Sequence, residues 1–144
     1  MYSIIKPVSK EELKEYYKLR WLLLRRPLGG KRGSEVDDIE DISIHRMIIN
    51  KDNKCIGVGR AHIIDGIAQI RFMAILSKYQ KMGLGSRMIK ELEKVLVCKK
   101  TKIIFLNSRE KAIIFYKKHG YKIIKQVKSP FGEITHYRME KSLN

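Results

Sequence analysis

The fold is decided by residues 70–89, which read IRFMAILSKYQKMGLGSRMI. A largely apolar run of strand type, Ile70 to Leu76, is followed by a turn that contains Gly83 and Gly85 and then by a helix pattern that continues to Val97. A helix that begins directly after such a turn leaves backbone N–H groups unpaired at its positive end, and such groups bind anions. The stretch therefore predicts a docking site for a phosphate-bearing ligand.

Length and composition are those of one globular domain, which we expect to span residues 1–144. No run approaches the roughly 20 apolar residues that a membrane helix needs, so no membrane partner is expected. The chain opens without a basic-then-apolar leader pattern, and we expect a cytoplasmic protein. Cys55 and Cys98 match no metal spacing. We expect both to be free thiols and expect no metal site.

The charge is strongly positive, with 31 Lys+Arg against 15 Asp+Glu and a formal net charge of +16. A basic balance favours nucleic acids, phosphorylated cofactors or acidic substrates as partners. Many of the lysines stand singly, which is typical of a solvated surface, and the chain lacks the aromatic interleaving of a nucleic-acid-binding groove. These features argue against a nucleic-acid partner.

The first part of the chain predicts a strand, a helix and an acidic loop. Residues 2–7 form a strand pattern, and Ser9 with Glu12 matches a capping box before a helix over Lys10–Arg25. An acidic run follows, for which we favour a solvated loop over a site that receives a cationic amine. This run contains Glu35, Asp37, Asp38, Glu40 and Asp41.

Three strands are predicted before the glycine turn, over Ile42–Ile49, Cys55–Ile64 and Ile67–Leu76. Asp65-Gly66 is a strong signal for a two-residue hairpin between the second and the third. A further strand at Lys102–Leu106 comes after a helical crossover, so it should run parallel to the strand before the helix.

The remaining patterns complete a mixed α/β (α+β) sheet that is flanked by helices. Ser108 is a candidate N-cap for a helix over Arg109–His119, which Gly120 would end. The last two strands are predicted over Tyr121–Val127 and Ile134–Lys141, with a turn at Ser129-Pro130-Phe131-Gly132.

Two motifs in this order of elements resemble the GNAT superfamily of N-acetyltransferases. The first is Gln80-x-x-Gly83-x-Gly85 after the apolar strand, and the second runs from Ala112 through Phe115-Tyr116 to Gly120-Tyr121. The resemblance covers nearly the whole chain. It implies a mostly antiparallel sheet of about six or seven strands, splayed between the strand before the Gln80–Gly85 turn and the next parallel strand.

The resemblance implies acetyl-CoA as co-substrate and assigns its contacts. Backbone N–H groups from Lys81 to Ser86 would hold the pyrophosphate, and Gly83 and Gly85 would permit close approach because they lack a Cβ. The splayed strand would pair with the pantetheine arm as if the arm were an added strand. The implied contacts are Met73, Ala74, Ile75, Gln80, Lys81, Met82, Gly83, Leu84, Gly85, Ser86, Asn107 and Tyr116.

Tyr116 is the candidate general acid, because a phenol near the sulfur can protonate the departing thiolate. The alternative is a core aromatic residue on an amphipathic helix. The general base stays open, since the strand before the turn carries Gln69 and Arg71 and no carboxylate. Water is one candidate, and the side-chain candidates are His136, His62, Glu133 and Glu35.

We expect an acetyl-CoA-dependent N-acetyltransferase that acts on a primary amine of a small molecule or peptide by direct attack in a ternary complex. The alternatives are a catalytically weak CoA-binding sensor and a basic nucleic-acid-associated protein. Homodimer formation stays open. Arginines near the acceptor would suit an amine that also carries a carboxylate or phosphate, or would pair with the acidic loop. Candidate acceptor contacts are Arg20, Trp21, Arg25, Glu35, Arg71 and His136, with Arg60 nearby.

Overall fold

A computed structural model describes residues 1–129 and 134–143. The helices are α1 (Lys10–Leu24), α2 (Leu84–Cys98) and α3 (Ile113–Lys118). The strands are β1 (Ser3–Ile5), β2 (Ile44–Ile49), β3 (Cys55–Ile64), β4 (Ile67–Ile75), β5 (Ile103–Arg109), β6 (Lys122–Lys128) and β7 (Thr135–Ser142). In the described ranges, no helix is long and apolar enough to cross a membrane.

The seven strands form one sheet in the order β1-β2-β3-β4-β5-β7-β6. Every neighbouring pair is antiparallel except β4 and β5, which are parallel because α2 carries the chain back across the sheet between them. The predicted mixed, mostly antiparallel sheet and its parallel crossover are confirmed. Asp65 and Gly66 form the predicted hairpin turn, with φ angles of 53° and 79°.

The parallel strands β4 and β5 are paired only over the first part of β4. Their register begins at Ile67↔Ile103 and ends at Gln69↔Phe105, although β4 continues to Ile75 and β5 to Arg109. Residues 70–75 of β4 therefore have no partner on β5. This is the expected splay, and it opens a cleft through the sheet beside unpaired backbone groups of β4.

The two long helices cover opposite faces of the sheet. Helix α2 packs one apolar stripe into the larger core, where Gly59 of β3 admits it closely: a Cβ at Gly59 would lie 2.8 Å from Met88 Sδ. Helix α1 covers the other face with Tyr16 and Leu19. The buried residues of α2 are Leu84, Met88, Ile89, Leu92 and Leu96.

A β-bulge in β4 lies within the splayed segment. Val58 of β3 pairs with Ala74, but Arg60 pairs with Arg71, so β4 carries one extra residue between the two pairs. Phe72 occupies this position with a φ of 53°, a left-handed conformation that costs about 1–3 kcal/mol for a bulky residue. The bulge places the Arg71 and Phe72 side chains together on the α1 face.

Of the two predicted helix N-caps, Ser9 and Ser108, the structure confirms only the first. The Ser9–Glu12 capping box is confirmed: the Glu12 amide donates to Ser9 Oγ at 3.1 Å, and the Ser9 amide donates to Glu12 Oε1 at 3.0 Å. The prediction of Ser108 as an N-cap is wrong. Ser108 lies inside β5, which pairs with β7 as far as Arg109↔His136, and α3 begins only at Ile113.

Two further boundaries differ from the prediction. Strand β2 begins at Ile44 and not at Ile42, because residues 40–42 form a 3-10 turn. Of the predicted turn at 129–132, residues 130–132 lie outside the described residues.

Candidate active site

The turn before α2 presents unpaired amides at the positive end of a 15-residue helix. Lys81 and Gly83 adopt left-handed φ angles of 63° and 80°, which bend the chain sharply into the helix. The first helical hydrogen bond at this end runs from the Arg87 amide to the Gly83 carbonyl at 3.1 Å. The amides of the first turn of α2 therefore have no helical acceptor, and such amides are able to bind an anion.

The turn is fastened to the end of β4. Gln80 Nε2 donates a hydrogen bond to the carbonyl oxygen of Ile75 at 2.8 Å. Because Ile75 is the last residue of the splayed segment, this bond places the anion site directly beside the cleft in the sheet. The structure thus brings together the residues predicted for the pyrophosphate and those predicted for the pantetheine arm.

Helix α3 packs against the same corner. The Phe115 ring lies over Gly85, where a Cβ would be 3.2 Å from Phe115 Cζ and 3.7 Å from Ile75 Cδ1. Ser86 Oγ and His119 Nε2 are hydrogen-bonded at 2.9 Å. A Cβ at Gly85 would therefore require the Phe115 ring to shift by a few tenths of an ångström, so the absence of a Cβ favours the close packing of α3. The contribution of His119 was not predicted from the sequence.

Tyr116 lies on α3, largely buried between two other aromatic rings. Its ring packs edge-on to Phe115 and Tyr121, with centroid distances of 5.1 Å and 5.9 Å. Burial raises the pKa of the Tyr116 phenol to about 12, so the phenol is protonated near neutral pH. No group in the described part of the chain accepts a hydrogen bond from it. The neighbouring Tyr121 hydroxyl, in contrast, donates to Glu93 Oε2 at 2.8 Å.

The other wall of the cleft is β5 beyond the end of its pairing with β4. Asn107 is exposed there, two residues past Phe105, and pairs across to Arg138 of β7. Its position fits the predicted contact with an extended ligand in the cleft.

On the α1 face, four guanidinium groups surround the ring of Phe72. They belong to Arg20, Arg25, Arg60 and Arg71, at 4.2, 4.9, 4.8 and 4.7 Å from the ring centroid. The flat faces of guanidinium groups interact favourably with an aromatic ring. The sequence predicted these four arginines near the acceptor, but it did not predict that they meet around Phe72, because the bulge and α1 bring them together there.

Two acidic side chains of the loop after α1, Asp37 and Glu40, pair with this cluster. Arg20 Nη1 binds Glu40 Oε2 at 2.8 Å, and Arg60 Nη1 lies 2.8 Å from Asp37 Oδ1 and 3.0 Å from Glu40 Oε2. Glu35 is only 4% exposed. The predicted solvated loop is therefore wrong for Glu35, Asp37 and Glu40. Asp37 and Glu40 are counterions of buried guanidinium groups, and Glu35 is buried with its carboxylate bound to the Gly33 amide. Asp38 and Asp41 are exposed as expected.

The ion pairs change the proton affinity of Asp37. Partial burial would by itself raise its pKa, but the hydrogen bonds from Arg60 and from the Ile39 amide, with the charges of Arg60 and Arg71, lower the pKa to about 2. The carboxylate is ionised at every pH at which the protein is expected to work.

Several predicted acceptor contacts hold the loop in place instead of lining an open site. Arg20 is fully buried, and Glu35 Oε1 accepts from the Gly33 amide at 2.7 Å, so both side chains have partners within the protein. Trp21 Nε1 donates to the Gly30 carbonyl at 2.9 Å, and Arg25 Nε donates to the Ser34 carbonyl at 3.1 Å.

The candidate bases are spread over the α1 face. Burial lowers the pKa of His62, as does the nearby charge of Arg60. Burial and the charge of Arg109 likewise lower the pKa of His136 on β7. Both imidazoles are therefore mostly neutral near pH 7 and able to accept a proton. Glu133 lies outside the described residues.

A family model described as "Acetyltransferase (GNAT) family" matches residues 10–121. The uncharacterized N-acetyltransferase YjcF of Bacillus subtilis (strain 168) is 27% identical over 133 residues, which cover 92% of this chain and 94% of YjcF. A GNAT-family acetyltransferase of Staphylococcus aureus Mu50 matches at a TM-score of 0.82 and 16% identity over the whole of both chains. An aminoglycoside 6'-N-acetyltransferase, solved with coenzyme A, matches at a TM-score of 0.81 and 16% identity. The match covers 100% of this chain and 97% of the aminoglycoside acetyltransferase chain.

The chain belongs to the GNAT family of acetyltransferases. It is an acyltransferase of the N-acetyltransferase type.

Proposed function

We propose that this protein transfers an acetyl group from acetyl-CoA to a primary amine of a small molecule or peptide. The observation that carries the proposal is the position of the cleft between β4 and β5 directly beside the unpaired amides at the start of α2. The solved aminoglycoside acetyltransferase with coenzyme A supports use of this donor, since the two chains share a fold.

In this proposal, the amides from Lys81 to Ser86 bind the pyrophosphate of the donor. The free edge of β4 at Met73, Ala74 and Ile75 pairs with the pantetheine arm, and Asn107 contacts the arm from β5. Backbone pairing of this kind gives affinity without requiring particular side chains. The positive helix end and the backbone edge recognise different parts of one extended ligand.

The donor supplies an activated acetyl group as a thioester. The acceptor nitrogen attacks the carbonyl carbon directly, a C–N bond forms, and the C–S bond breaks. Tyr116 donates its phenolic proton to the departing sulfur, a role that suits a buried phenol with a raised pKa. A backbone N–H near Ile75 stabilises the negative charge that develops on the carbonyl oxygen.

The amine loses its proton to water or to an imidazole of the α1 face, His136 or His62. No cysteine carries the acyl group in this scheme. Cys55 is buried, and burial raises the pKa of its thiol to about 12, whereas Cys98 is at the far end of α2 from the turn.

One observation favours a second candidate function, a CoA-binding sensor with little turnover. Strand β4, Ile67–Ile75, contains no carboxylate that could serve as a base beside the cleft. Such a sensor would use the same anion site and the same splay, so only turnover separates the two.

The experiment is an assay of free thiol released from acetyl-CoA in the presence of a panel of primary amines, with acetyl-CoA binding measured in parallel by calorimetry. The proposal expects binding together with thiol release that depends on one or more of the amines and yields the N-acetyl product by mass spectrometry. Binding without amine-dependent release would favour the sensor, and a failure to bind would overturn both.

A further inference from the structure

We propose that the acceptor amine carries an anionic group, a carboxylate or a phosphate, that binds to Arg71. This inference rests on the proposed acetyltransferase function and specifies its substrate class.

Arg71 lies where an acceptor would have to sit. It is the second residue of β4 beyond the last pair with β5, and its side chain is on the α1 face, opposite the face that α2 covers. Ala74 is three residues further along the strand, a distance of about 10 Å at about 3.3 Å per residue. An anion held at Arg71 would place an amine within reach of the thioester if the acceptor is about the size of a small amino acid.

Arg71 is the most accessible of the four guanidinium groups around Phe72. Its side chain is 35% exposed, whereas Arg20 and Arg60 are fully buried and Arg25 is 8% exposed. Arg20 and Arg60 are paired at 2.8 Å with Glu40 and Asp37, respectively. The positive charge of this cluster therefore reaches solvent mainly through Arg71.

The hydrogen-bonding capacity of Arg71 is largely unused. Its one hydrogen bond among the described residues is a long one, from Nη1 to Asp37 Oδ2 at 3.4 Å, while Asp37 Oδ1 is taken by Arg60 at 2.8 Å. A guanidinium group has five N–H donors in a planar fork that matches a carboxylate or a phosphate. Most of this fork remains available.

The Phe72 ring packs against the Arg71 guanidinium group without occupying its N–H donors. Its centroid lies 4.7 Å from Arg71 Cζ, and a ring engages the flat face of a guanidinium group while leaving the N–H edge free. Phe72 takes this place only through the left-handed bulge conformation, at a cost in backbone free energy. The strained residue thus packs against a charged side chain beside the unpaired segment of β4.

The test is the thiol-release assay with matched acceptor pairs: β-alanine with β-alaninamide, longer ω-amino acids with their amides, and O-phosphoethanolamine with ethanolamine. Within each pair the amine is kept and the anion is removed. The inference expects at least one anionic member to have a kcat/KM ten or more times that of its neutral partner. The carboxylate and phosphate pairs distinguish the two kinds of anion.

The variant Arg71→Gln should remove this preference by raising the KM of the anionic member, and Arg71→Lys should restore part of it. Arg138→Gln is the matched control: Arg138 lies on β7 and has a side chain 29% exposed, similar to that of Arg71, but it is paired with Glu140 at 2.8 Å. The control should keep the preference. Thermal unfolding of each variant identifies loss of folding.

Three results would overturn the inference: faster transfer to the neutral members, a preference that survives Arg71→Gln in a folded protein, or an equal loss in Arg138→Gln. Failure of the proposed function looks different, because then no amine in any pair releases thiol although acetyl-CoA binds. That result would remove the inference together with the function.

Discussion

Gln80 ties the turn before α2 to the end of β4 by donating from Nε2 to the carbonyl oxygen of Ile75 at 2.8 Å. The bond joins the two parts of the proposed donor site, the amides of the turn and the free edge of the strand. Because it spans only five residues and lies at the surface, it fixes local geometry more than it stabilises the fold.

Replacing Gln80 by alanine should weaken acetyl-CoA binding about 3- to 10-fold, which corresponds to the roughly 1 kcal/mol typical of one hydrogen bond. The free energy of unfolding should change little, since Gln80 is exposed. Calorimetry with acetyl-CoA measures the first effect and urea unfolding the second. Gln126→Ala on exposed β6 is the control, and equal affinity of the two variants would contradict the role of Gln80.

Gly83→Ala should lower both stability and affinity for acetyl-CoA. Gly83 has a φ of 80° and open space around it, so an added methyl group causes backbone strain of about 1–2 kcal/mol without a clash. Relief of this strain would move the turn and disturb its amides. Gly66→Ala is a close control, because Gly66 has a φ of 79° and equally open surroundings but lies in the β3–β4 hairpin.

The two glycine variants should lose similar stability in urea unfolding, but only Gly83→Ala should bind acetyl-CoA more weakly, by about tenfold. This factor corresponds to about 1.4 kcal/mol. Equal affinities would show that the turn does not bind the donor.

Tyr116→Phe should lower kcat about 100-fold for a confirmed acceptor while the protein stays folded, as expected for loss of a general acid. Tyr121→Phe serves as the contrast. Its hydroxyl donates to Glu93, so that variant should lose stability but keep most of its kcat. Steady-state kinetics and thermal unfolding separate the two effects. Retention of the full rate by Tyr116→Phe would contradict the general-acid role.

Asp37→Asn should destabilise the protein at pH 7 by about 1–3 kcal/mol, because it removes a charged partner of the buried Arg60. A carboxylate whose pKa is lowered by folding stabilises the protein above its unfolded pKa of about 4, and this contribution is lost as the pH falls toward about 2. The difference between wild type and variant should therefore narrow between pH 5 and pH 2.

Urea unfolding across this pH range measures the difference, with Asp38→Asn as a neighbouring exposed control. A constant difference at all pH values, or an equal effect of Asp38→Asn, would show that the ion pair does not contribute as described.

Local patterns predicted most of the fold. The Ser9–Glu12 capping box, the Asp65-Gly66 hairpin and the parallel return after α2 each depend on residues close in sequence or on a general rule of chain connection. The start of α3 was mispredicted because it depends on pairing between residues that are far apart in the sequence. The local preference of Ser108 for a helix cap is outweighed by the β5–β7 pairing, which comes from residues far along the chain.

The candidate donor site was also accessible from the sequence, because a turn and the helix after it are contiguous. The α1 face was accessible only in part: the sequence suggested that its arginines contact the acceptor or pair with the acidic loop, but not which pairs form. The ion pairs of Arg60 with Asp37 and Glu40 join residues 20 or more positions apart, and the extra residue at Phe72 leaves no signal in an apolar run. Only the folded chain shows which arginines are neutralised and which one faces the cleft.

The most direct test of the central claim is a crystal structure of the protein with coenzyme A. We expect pyrophosphate oxygens within hydrogen-bonding distance of amides between Lys81 and Ser86, with the pantetheine arm paired to β4 at Met73–Ile75. Coenzyme A bound elsewhere, with the β4–β5 cleft empty or closed, would contradict this claim.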